Sequence, residues 1–450
     1  MTHGPSPAPS RATRRRPRGF TLVELIIAMA AGLVVSMAAI LLAKGATRFF
    51  QNEARISATH MAAMLGLSRL TADLQRASFH SSPNVIKDRL NAGLCGDPTP
   101  WPAGMRRLAG VAIARQGSVI DHGGELDQSI ANGLRPDAIV IGGSLHTVEE
   151  FRFNSVEGCG LGGCVVNLQG DSSAMKRTRA RNAIGGEDIE DIFRQGRLLR
   201  LRIDGQTKYM YGVIKALQTV GAPPNETYSV LLEEIPTLPA SDGDCGVSVL
   251  GPNGSGGFAN PVARVRYDIR SLRSHLTYGP LVEPINPSVT GDDGRTELVR
   301  VELDAENNEM ADTLELIAEY AVDLKFGLSA ATEGGLPGIR NPQIARYPIT
   351  APIDSSDVYN IAGDITDLGS RPERIRSMQV RLSTRTRAPD RAADLDRRAD
   401  GRKLRFLLPG IVSTVNTDTD PIPPGAPDIF ARMRTFYADV ALPNQAGVEW

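Results

Sequence analysis

The chain has 450 residues, 41% hydrophobic, 22% charged and 5% aromatic, with 45 glycines and 30 prolines. That is enough for two or three domain-sized cores joined by many turns. The formal charge is −1; a surface built to hold nucleic-acid phosphates carries a basic excess, so nucleic acid is not expected as a partner.

Residues 1–19 form a leader of proline, arginine and serine without core-forming content. Without its five arginines (Arg11, Arg14, Arg15, Arg16 and Arg18), 45 basic residues face 51 acidic ones, about −6. No proline occurs from Phe20 to Ser82, which predicts one long helix over 20–82. Leu25 to Ala43 is nineteen residues without formal charge, long enough to cross a bilayer core as a helix, and the spanning part is expected over 20–44. The leader arginines outnumber Lys44 and Arg48 beyond the run, so the leader side is cytoplasmic by the positive-inside bias. Glu24 stands near the start of the run. An acid there costs a few kcal/mol unless paired and reads as a functional residue, although a helix N-terminus or snorkelling also tolerates one. Further on, Met64, Leu67, Leu70, Leu74 and Ala77 recur at the helical period, with Arg69, Asp73 and Arg76 between them, and predict a face packed under a sheet.

Gly19-Phe20-Thr21-Leu22-Val23-Glu24, behind a basic leader and ahead of an apolar run, resembles the processing signal of type IV prepilins and pseudopilins. The resemblance implies cleavage between Gly19 and Phe20 by a prepilin peptidase and N-methylation of Phe20. It also implies that the apolar helix is kept for filament packing, and that Glu24 meets the new Phe20 amine of a neighbouring subunit. Two rival readings are a secretory signal cut near Ala43-Lys44-Gly45 and a plain anchor. The run is long for the first and its acid unusual, and the second leaves Gly19 and Glu24 without a task.

After Pro83 the apolar period becomes two. Leu199–Ile203, Val265–Ile269, Val299–Leu303 and Met378–Leu382 alternate with polar residues and predict half-buried antiparallel strands. Asp137–Ile141, Thr147–Phe153 and Arg434–Leu442 are further expected strands, and Glu309–Ala318 a short helix. Turn-rich connections fall near 91–104, 157–163, 239–260, 279–294, 350–373 and 386–402, with a stiff connector at Pro421–Pro427. The order of Arg135–Ile141, Glu319–Phe326, Ile375–Leu382 and Arg434–Leu442 is similar to that in PilW-like minor pilins. Against that pattern, extra material is expected around 160–295, and Pro443 stands where a basic residue would. The expected fold is therefore α+β: a long N-terminal transmembrane and amphipathic helix packed on an antiparallel β-sheet head over 83–450, with an enlarged, loop-rich β region.

Four cysteines, Cys95, Cys159, Cys164 and Cys245, lie beyond the apolar run. Disulfides are expected, in a compartment that permits them. A local Cys159–Cys164 bridge would leave Cys95 to pair with Cys245, although three connectivities are open. A zinc site is the alternative; the spacing fits it poorly and no histidine is near in sequence. The six histidines (His3, His60, His80, His122, His146 and His275) show no metal spacing, and no nucleotide or hydrolase motif occurs. Neither catalytic residue, cofactor nor metal is expected. Two acidic groups, Asp304/Glu306/Asn308/Asp312 and Asp354/Asp357/Asp364/Asp367, lack an EF-hand turn and read as solvated loops. The basic run Lys176–Arg181 reads as a solvated loop too, with DNA or an acidic neighbour as alternatives.

The function these readings imply is that of a minor type IV pilin at the tip of a pilus or priming its assembly, not an enzyme. Implied partners are the prepilin peptidase, other minor and major pilins, the inner-membrane assembly machinery and the membrane itself. The head would lie in the periplasm and later on the pilus or cell surface. The alternatives are a minor pseudopilin of a type II secretion system and a pilin-anchored periplasmic enzyme or adhesin.

Overall fold

The computed structural model describes residues 21–92, 100–115, 126–160, 163–221, 226–236, 238, 256–282, 294–332, 343–349, 361–363, 370–387, 405–408 and 430–445. Gly19, Phe20, Cys95, Cys245 and the Asp354–Asp367 acidic group lie outside them. The chain divides into two compact units, Met1–Ser57 and Ala58–Trp450.

The described part of the first unit is the beginning of helix α1 (Leu22–Gln75). From Thr21 to Ala54 every described side chain is exposed.

In the second unit the last turns of α1 bury Leu67, Leu70 and Leu74, with Ala77 just beyond, in the main core. Met64, expected on that face, is 48% exposed. Ala63 is buried instead, and Gly66 faces Ile317 and Ala318 so closely that an added Cβ would lie 3.1 Å from that of Ala318. The helix ends at Gln75, seven residues before the expected Ser82. The reason is local. Ser78 and His80 adopt positive φ of 62° and 46°, and the Ser78 amide donates to Gly142 O at 2.8 Å. The chain is thereby drawn off the helix axis onto a strand.

Three β-assemblies follow. Helix α2 (Ala103–Arg106), strand β1 (Val111–Ala114), helix α3 (Asp127–Ala131) and strand β2 (Ala138–Gly143) precede the first. Strands β3 (Phe151–Gly160) and β4 (Gly163–Leu168) then form a hairpin, and helices α4 (Ser173–Asn182) and α5 (Ile189–Ile192) lead to β5 (Leu198–Ile203), β6 (Tyr209–Val220), β7 (Thr227–Leu232) and β8 (Gly257–Arg270). These strands pair antiparallel in the circuit β8-β3-β4-β7-β6-β5 and back to β8. Ala259 of β8 pairs with Phe151 on one side and Leu201 on the other, which closes a six-stranded barrel. Phe151, Phe153, Val166, Leu199, Leu201, Ile203 and Val230 fill it together with Ile189, Ile192 and Phe193 from α5 and its end. Strands β4 to β8 of this barrel fall within residues 160–295.

The second half of β8 leaves the barrel for another sheet. Tyr267 pairs with Ile139 of β2 and with Arg300 of β9 (Glu297–Leu303), and β1 and β10 (Glu315–Ala318) flank the sheet. The short helix α6 (Gly279–Val282) lies between β8 and β9. The third assembly has the order β12-β11-β13-β15-β14, with β11 (Ala321–Thr332), β12 (Gln343–Tyr347), β13 (Ile375–Arg385), β14 (Arg405–Leu407) and β15 (Phe430–Ala441). The last turns of α1 share one core with β1, β2, β8, β11 and β13.

Several expectations change. β8 and β9 are covered on both faces rather than half-buried, and Arg264, Asp268, Arg300 and Glu302 are buried. Glu309–Ala318 is not a helix: Asn307 and Asp312 have positive φ, and Glu315–Ala318 is strand β10, with Ala318 in the core over α1. β3 begins at Phe151, because Thr147 and Glu149 close a turn in which the Glu149 amide donates to Thr147 Oγ1 at 3.1 Å. The run Lys176–Arg181 lies on α4. Pro443 ends β15 by opening a 3-10 turn, Pro443–Gln445.

Candidate functional site

The site is the first half of α1. Thr21 precedes the helix, and Glu24 stands three residues on. The Glu24 amide donates to Thr21 Oγ1 at 3.3 Å, while Glu24 Oε2 accepts from the Thr21 amide and hydroxyl, each at 3.0 Å. This reciprocal pair is a capping box, which satisfies donors that a helix start otherwise leaves open. Both contacts to the carboxylate fall on Oε2. The Thr-x-x-Glu spacing was the signal for it, and Thr21 is the capping residue that the sequence reading passed over.

Beyond Glu24 the uncharged stretch Leu25–Ala43 rises about 28 Å as a helix, close to the ~30 Å hydrocarbon core of a bilayer. Leu25, Ile26, Ile27, Leu33, Val34, Val35, Ile40, Leu41 and Leu42 are all more than half exposed. Burying a large apolar side chain is worth about 1.5–3 kcal/mol, so a helix bare on every side implies lipid or other helices around it. Past the run, Thr47 Oγ1 donates to Ala43 O at 2.8 Å, which satisfies a hydroxyl without solvent.

In the head, α1 is fixed by charge as well as by its apolar face. Asp73, which the periodicity placed among polar positions, is buried. Its Oδ2 accepts from Tyr267 Oη at 2.7 Å and from Arg300 Nε at 2.8 Å, and Arg300 also reaches Glu315 at 2.8 Å. Burial, with the Asp73 carboxylate beside it, pushes the Tyr267 phenol above its ordinary pKa.

The remaining sequence candidates fall elsewhere. Cys159 and Cys164 are joined by a disulfide at the tip of the β3–β4 hairpin, with Cα atoms 4.2 Å apart. On α4, Arg177 binds Glu149 at 2.9 and 3.0 Å, Arg181 binds the same carboxylate and Arg179 binds Glu226 at 3.2 Å. Each arginine of the basic run thus has a carboxylate partner within the chain, Arg177 and Arg181 sharing one. Asp304 Oδ1 accepts the amides of Glu306 and Asn308 at 2.9 and 2.8 Å and so closes the loop after β9.

The family description "prokaryotic N-terminal methylation motif" matches residues 14–40. Among solved structures, the type IV-like pilin TTHA1219 from Thermus thermophilus is similar over 60% of this chain and 96% of that one, at 14% sequence identity and a TM-score of 0.17, an overlap too slight to argue from. No curated protein matches the chain. Residues 14–40 thus carry a prokaryotic N-terminal methylation motif that leads into a helix long and apolar enough to cross a membrane.

Proposed function

We propose that the chain is a PilW-like minor type IV pilin, a structural subunit that caps a pilus or primes its assembly, and not an enzyme. Prepilin peptidase cuts between Gly19 and Phe20 and methylates Phe20. The subunit waits in the inner membrane with its head in the periplasm. It then joins other minor and major pilins through the assembly machinery and reaches the cell surface. The observation that carries this reading is the methylation motif running directly into a helix that is exposed at every described side chain from Thr21 to Ala54. The head supports the tip position. It spans residues 58–450 as one unit, a bulk that suits a single copy better than a shaft of identical neighbours.

The test is processing. Glycine leaves room at the cut because it has no side chain. Protein recovered from a host with the peptidase should begin at methylated Phe20, and Gly19→Val should remain uncut. A wild-type N-terminus after Gly45, or an intact leader, overturns the reading.

A further inference from the structure

His146 lies between β2 and β3, where three distant segments meet. Its Nδ1 is 2.9 and 3.1 Å from the two carboxylate oxygens of Glu187, in the link between α4 and α5. Its Nε2 is 2.8 Å from Glu302 Oε1 on β9. That second contact is out of line for a hydrogen bond, so it is a charge contact. Glu302 is in turn held by Arg197 through Nε and Nη2, both at 2.9 Å. Arg197 also donates through Nη1 to the carbonyls of Asp191 and Ile192 at the end of α5.

These contacts form a ring around α5. Glu187 sits immediately before the α5 N-cap, Asp188, and Arg197 binds the other end. Between them, Ile189, Ile192 and Phe193 are buried in the barrel interior, with the Phe193 ring 5.0 Å from that of Phe151. The charged groups facing His146 are Glu187 from the α4–α5 link, Glu302 from β9 and Arg197 from the approach to β5. With an imidazolium at His146 the four charges sum to zero. A neutral imidazole leaves two carboxylates against one arginine, and only one N–H to donate.

We propose that His146 is a proton-operated latch, fastening the α4–α5 link to β9 and holding α5 in the end of the barrel. Burial on its own would depress the imidazole pKa, but the hydrogen bond to Glu187 and the charge of Glu302 outweigh it and hold it above the ordinary histidine value. Burial would likewise raise Glu302, and His146 with Arg197 hold it well below the usual carboxylate range. Glu187 is lowered by its bond to His146 despite its burial. A raised folded-state pKa gives stability that is fully present below about 6.5, the unfolded histidine value, and lost as pH rises through the folded value. The latch is closed in mildly acidic medium and opens towards alkaline pH.

The test is hydrogen exchange on the full chain in detergent micelles, read as protection factors for the Ile192 and Phe193 amides, which donate to Asp188 O and Ile189 O. In the wild type, protection should fall between pH 6 and pH 8.5 by about tenfold for each unit that separates the folded and unfolded pKa of His146. In H146Q the fall should vanish. Should H146Q fail to fold, E187Q keeps the Glu302–Arg197 pair and should show a smaller fall than the wild type. Protection that does not change with pH in the wild type overturns the proposal. So does an equal fall in either variant, or a His146 ring titration by NMR with its midpoint below 6.5.

Discussion

At the scale of the residue, the chain handles buried charge by pairing it. Asp73, Glu302 and Asp137 are all buried, and each meets a cation: Arg300 at 2.8 Å, Arg197 at 2.9 Å and Lys325 at 2.6 Å. Such a pair adds little net stability against an apolar replacement, but removing one partner leaves a costly lone charge. Asp73→Ala should therefore destabilise the head by about 3 kcal/mol, because buried Arg300 keeps only the half-exposed Glu315 and Tyr267 loses its acceptor. Asp73→Asn keeps an acceptor and should cost less. Thermal unfolding followed by circular dichroism measures both, and a loss under about 1 kcal/mol for Asp73→Ala would show that this pair does not anchor α1. Nothing in the local sequence separated Asp73 from Arg69, which is exposed on the same helix. The difference lies in what stands opposite each of them.

At the scale of the element, periodicity found the strands and missed how they are covered. β5 and β13 keep the expected alternation. β9 reads the same way in sequence, yet it is buried at every position, because its polar side chains find ionic partners on its second face. α1 was visible from its missing prolines, but its end was set by the capture of Ser78 by β2. The β3–β4 hairpin carries the bridge at its tip, across a sequence separation of 5. A loop that short restricts the unfolded chain modestly, so the bridge should contribute about 2 kcal/mol. Non-reducing peptide mass spectrometry should recover a Cys159–Cys164 linked peptide from the purified protein, and free thiols at both positions would refute the bridge. Cys159→Ser with Cys164→Ser should then lower the unfolding midpoint without changing the fold.

At the scale of the whole molecule, the anchor and the head follow different rules. The anchor is bare and uniform, so what it does depends on what surrounds it. In the lone subunit the Glu24 carboxylate is occupied on one oxygen by Thr21. Our proposal has assembly bring it a cation, since an unpaired acid in lipid is costly. Glu24→Ala should leave cleavage and membrane insertion intact and lower the amount of this protein in sheared pili, normalised to its membrane pool. Equal ratios for wild type and variant, with normal pilus number, would remove the assembly role of this residue. A subunit at the very tip has no neighbour above it, so the loss should be smaller than for a shaft subunit. The sequence by itself determined the anchor, the methylation motif and the α+β class, because each is written in neighbouring residues: an uncharged run, a six-residue signal and short-range periodicity. Only the tertiary structure decided that β8 serves a barrel and a sheet at once, that Asp73 meets Arg300 across 227 residues, and that His146 joins Glu187 to Glu302. Those features rest on strand pairings between segments far apart in the chain, and no local pattern encodes which strands will meet.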